Sequence, residues 1–96
     1  MLKYKAPLRD MRFLINEVLD YPAHYRALPN AGEATPEMVD AILEGAATLC
    51  EEVLAPLNSS GDQEGCHFKD GAVTTPAGFK AAYDEFVAGG WQGLSF

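Results

Sequence analysis

The chain has 96 residues and a formal net charge of -7, a length that holds one domain or part of one and lets folding bury only about 60–65% of the surface of the extended chain. Apolar residues make up 48% and charged residues 22%, which excludes the depleted, highly charged composition of a disordered chain. Residues 1–26 carry five basic and three acidic side chains and the remainder two and eleven, so the acidic body lacks the clustered cations that nucleic-acid backbones and anionic membranes require.

The N-terminal run MLKYKAPLRDMRF has no long apolar core of a signal peptide, and no stretch approaches a membrane span, so a cytoplasmic protein is expected. From Asp10, apolar residues at Met11, Leu14, Ile15, Val18 and Leu19 follow the spacing of one helical face. This predicts a short first helix capped by Asp10 and stopped by Pro22. After a loop with Pro29, Asn30 and Gly32, Thr35-Pro36 predicts the start of a second helix, with Glu37 suited to the positive end of its dipole. Its stripe runs through Val39, Ile42, Leu43, Ala46, Cys50, Val53, Leu54 and Leu57, and Pro56 either ends it or kinks it.

Asn58-Ser59-Ser60-Gly61-Asp62 reads as turn chemistry, and Asp70-Gly71 as the centre of a tight hairpin between Phe68 and Val73. Thr75-Pro76 predicts the start of a third helix carrying Phe79, Ala82, Tyr83, Phe86 and Val87, closed by Gly89-Gly90. The sequence then runs through Trp91, Leu94 and Phe96. Each would gain roughly 2 kcal/mol from burial, so the tail implies a covering surface that three single-stripe helices do not supply. The expected fold is mostly α, with about three amphipathic helices and a small β-hairpin between the second and third.

The residues Asp62, Glu64, Cys66, His67 and Asp70 invite a metal reading. A calcium loop started at Asp62 would put His67 at the sixth position, where glycine is needed, and Val73 at the twelfth, where glutamate is needed. Zinc needs four convergent ligands, yet Cys66 and His67 are neighbours that point apart in a strand, and only Cys50 and His24 remain as soft ligands. Cys50 lies on an apolar stripe and reads as a packed thiol, and neither Cys66 nor His67 has an orienting third group. The two cysteines are too few for a disulfide framework. Glu51 and Glu52 are adjacent and diverge on a helix, which removes a paired-carboxylate geometry, and no glycine-rich phosphate loop follows a strand. No catalytic, cofactor-binding or metal residue is expected in this chain.

A family resemblance runs through several of these segments. Tyr4-Lys5-Ala6-Pro7-Leu8-Arg9-Asp10-Met11-Arg12-Phe13 resembles the opening motif of large bacterial acyl-CoA dehydrogenases, the subgroup that includes methylmercaptopropionyl-CoA dehydrogenase. Glu52 to Asn58, Gly61-Asp62 with Gly65-Cys66, Thr75-Pro76 with Gly78-Phe79-Lys80, and Gly89 to Leu94 are similar to the same subgroup. The resemblance implies an FAD-dependent enzyme of fatty acid metabolism that dehydrogenates acyl-CoA thioesters between the α and β carbons. Residues 1–32 would be an N-terminal extension with a short helix, and 33–96 the first part of an all-α N-terminal domain. Flavin contacts and the catalytic glutamate lie in later parts of that family, so this chain alone is expected to bind no FAD and to serve as scaffold and interface. Its expected partners are the rest of the enzyme and further copies in a homo-oligomer. The rival reading is a non-enzymatic helical module that docks a partner or a second copy.

Overall fold

The computed structural model describes residues 3–94; Phe96 of the expected apolar tail lies outside them. Two compact units are present, Tyr4–Thr48 and a second that begins at Leu49. No described helix is long and apolar enough to cross a membrane.

In the first unit α1 spans Leu8–Phe13 and passes into a π-helical turn, Leu14–Val18. The helix starts earlier than its apolar spacing suggests, behind Pro7, so Asp10 is a first-turn acid beside the positive end of the dipole and not the cap. Asp20 then adopts a left-handed backbone (φ 49°), and its carboxylate accepts from Ala23 N at 3.4 Å. This caps α2, Tyr21–Ala27, a helix beyond those expected from the apolar spacing. Pro22 does end the first pattern, but it also occupies the first turn of α2, where a missing N–H costs nothing.

The helix α3, Pro36–Thr48, begins as expected, with Thr35 Oγ1 accepting from Met38 N at 3.1 Å. Its buried anchor is Ala47, next to the stripe residue Ala46. Across its polar side, Arg12 of α1 donates through Nε to Asp40 at 2.5 Å and through its terminal nitrogen to Glu44. Asp40 first, then Glu44, hold the guanidinium in its charged form and raise its pKa. The basic head and acidic body of the sequence thus meet one helical turn apart on α3.

The second unit opens with a π-helical segment, Leu49–Leu54, followed by α4, Ala55–Glu64. Pro56 cannot donate to the carbonyl of Glu52, and the wider turn ahead of it lets helical geometry continue instead of ending. The Asn58–Asp62 run is therefore helical, contrary to its turn-like composition, and the helix ends at Gly65 (φ 72°).

Strands β1, His67–Lys69, and β2, Ala72–Thr74, pair antiparallel with Phe68 opposite Val73. Asp70 and Gly71 both take positive φ, as a two-residue hairpin turn demands. Phe68 is 74% exposed, and Cys66 is also exposed, because a three-residue ribbon offers no second layer.

The last helix, α5, spans Phe79–Ala88 and is entered through Gly78 (φ 91°), so Thr75-Pro76 lead into it without starting it. Gly89 and Gly90 close it as expected, and a 3₁₀ turn, Trp91–Gly93, follows. The fold is mostly α with a small hairpin ahead of the last long helix, as the sequence implies.

Candidate functional site

The site is set by how closely α4 and α5 approach in the second unit. Gly61 is buried, and a Cβ placed there would lie 2.6 Å from Cζ of Phe79. One at Gly78 would lie 2.8 Å from Cδ2 of Leu57. Ala82, 5% exposed, fills the seam with its methyl group. Each side therefore offers a glycine to a large side chain of the other, Gly61 to Phe79 and Gly78 to Leu57, and the larger side chains beyond the seam are left standing apart.

Their separation leaves a groove of about 410 Å³ lined by Leu54, Leu57, Asn58, Phe79, Ala82, Tyr83 and Phe86. The rings of Tyr83 and Phe86 stand 6.2 Å apart and tilted by 32° along one wall. Tyr83 remains 64% exposed, and Leu54 40%. Asn58 is the sole amide in the lining. A second depression, of about 420 Å³, shares Leu57 and Ala82 with the first and is bordered by Glu52 and Glu85. Among the described residues, neither glutamate makes an ion pair.

The residues singled out in the sequence lie elsewhere. His67 and Asp70 are exposed on the hairpin. Glu64 has a structural task, its Oε2 accepting from Ala77 N at 2.9 Å on the approach to α5. His24 sits on α2, with ring centroids 5.6 Å from Tyr21 and 5.8 Å from Tyr25. Cys50 is half-buried. Among the described residues no three His, Cys, Asp or Glu side chains come together as a metal-binding group.

The aromatic stripe of α5 and the apolar Leu54 and Leu57 of the facing wall are both legible in the sequence, but the groove between them is not, because Gly61, which permits the close approach, lies in a stretch composed like a turn. The signal available was Gly61 one turn beyond Leu57, a helical small residue opposite an aromatic helix. Chemically the arrangement holds apolar matter. It does not fit a flavin dinucleotide, whose pyrophosphate needs converging donors or cations and would here meet Asn58 alone.

No family model matches the chain. Comparison with individual curated proteins does find relatives. The chain resembles a short stretch of acyl-CoA dehydrogenases. It is 40% identical over 94 residues to 3-methylmercaptopropionyl-CoA dehydrogenase of Ruegeria pomeroyi, an alignment covering 98% of this chain and 16% of that protein. It is 32% identical over 90 residues to butyryl-CoA dehydrogenase of Syntrophomonas wolfei, covering 91% of this chain and 15% of the relative. The chain thus spans about a sixth of the length of the acyl-CoA dehydrogenases it matches.

Proposed function

We propose that this chain is the N-terminal helical segment of an FAD-dependent acyl-CoA dehydrogenase, with residues 1–32 as an extension and 33–96 as the start of the helical domain. Its work is structural: it presents apolar helix faces for the rest of the enzyme to cover and performs no chemistry alone. The observation that carries this reading is the 40% identity sustained across 98% of the chain. The exposed apolar side chains give it physical support. Phe13 at 57%, Leu19 at 56% and Tyr83 at 64% exposure are poorly placed in water, whereas a covering domain would bury them.

In the complete enzyme the flavin would accept the two hydrogens removed from the α and β carbons of the acyl thioester. The groups that hold flavin and substrate belong to the remainder of the polypeptide. The complete protein works in the cytoplasm as a homo-oligomer in this reading.

The test is complementation. The Ruegeria pomeroyi relative is expressed without its matching segment, and this chain is supplied separately. Restored flavin retention and thioester oxidation are expected, with neither shown by the 96-residue chain alone. Full activity of the shortened relative without any added chain would remove the scaffold role, and acyl-CoA oxidation by the isolated chain would remove its proposed inactivity.

A further inference from the structure

We infer that the paired depressions of α4 and α5 form a docking site for an amphipathic helix that carries a lysine or arginine beside its apolar face. The geometry supplies two unlike subsites that share the Leu57–Ala82 seam. One is apolar, walled by Phe79, Tyr83 and Phe86, and takes leucine or aromatic side chains. The other is bordered by Glu52 and Glu85, which have no ion-pair partner among the described residues. An apolar anchor in the first subsite therefore places its neighbouring residues against two carboxylates. A cation there is attracted and a further carboxylate is repelled.

The same charges argue against a second copy as the occupant. Described residues from Leu49 onward hold seven acidic side chains and two basic ones, Lys69 and Lys80. Lys80 is already engaged with Asp84 at 2.9 Å, so two such surfaces brought face to face oppose like charge with like. The helix-in-groove mode needs an apolar groove and a matching rim, and both are present. This inference stands on the groove and its border, independently of the enzyme reading.

The experiment titrates the full 96-residue chain with two synthetic amphipathic helices. They have the same leucine and phenylalanine face, and one is flanked by lysines and the other by glutamates. Amide shifts along Phe79–Ala88 and the Tyr83 ring signals report occupancy. The lysine-flanked peptide is expected to bind at least about tenfold more tightly, with the advantage shrinking as salt rises. The double variant Glu52→Lys with Glu85→Lys, at two exposed positions, is expected to prefer the glutamate-flanked peptide. Equal affinities, an absence of shifts at Tyr83, or self-association of the chain that protects Tyr83 would each overturn the inference. Should the double variant not fold, the salt titration of the parent chain decides, and a preference that does not change with salt overturns it. Failed complementation of the shortened enzyme would leave the charge preference intact, so the two ideas fail separately.

Discussion

At the scale of single residues, side-chain chemistry and backbone geometry make opposite demands on attention. His67, the most chemically suggestive residue of the hairpin, is exposed and its ribbon has no second layer. Its replacement by alanine is expected to change stability by less than about 0.5 kcal/mol, as measured by urea denaturation. Gly78 carries no chemistry, yet it matters more. Its φ of 91° is one that L residues rarely adopt, and a Cβ there would press on Leu57. Gly78→Ala is expected to cost about 1–2 kcal/mol in the same measurement, from backbone strain before any loss of packing. An unchanged midpoint would show that the entry to α5 relaxes into ordinary geometry.

Among the elements, the start signals did not hold equally: Thr35-Pro36 opens α3, whereas Asp10 and Thr75-Pro76 do not start their helices. Thr35 caps α3 as its sequence implies, and Thr35→Ala should cost about 1 kcal/mol, visible as a lowered melting temperature with reduced helicity. The hairpin was equally legible, because Asp70-Gly71 permits the positive φ that few other pairs tolerate. The Asn58–Asp62 run is helical despite its turn-like composition, and the prolines start helices as well as interrupting them. Pro22 and Pro56 each sit in the first turn of a helix, a position that one sequence cannot distinguish from a terminus without knowing where the preceding turn widened. Asn58–Asp62 is helical because Gly61 must lie against Phe79, a tertiary demand that outweighs local preference. The candidate site was illegible for the same reason: its two walls, Leu54 to Asn58 and Phe79 to Phe86, are far apart in sequence, and only the close approach at Gly61 reveals that they face each other. The Arg12 contacts to Asp40 and Glu44 were likewise invisible, although the uneven charge distribution contained both halves of them.

For the whole molecule, the amount of buried surface is the governing quantity. Among the described residues only Ala47 and Ala82 are buried hydrophobics, while Phe13, Val18, Tyr83 and Leu94 each expose more than half of their surface. An alanine-sized core offsets little of the conformational entropy lost on ordering the chain. The isolated chain is therefore expected to show a global stability below about 5 kcal/mol, the lower end for folded domains. Hydrogen exchange checks this, and strongly protected amides around Leu57 and Tyr83 in a dilute, monomeric sample would contradict it. Gly61 gives this thin architecture an adjustable part. It contributes nothing to the groove lining, yet a single added methyl would push the Phe79 ring, which does line it, out of its present seat. A position out of reach of any bound guest can in this way set the width of the opening, so that affinity is tuned from behind the wall.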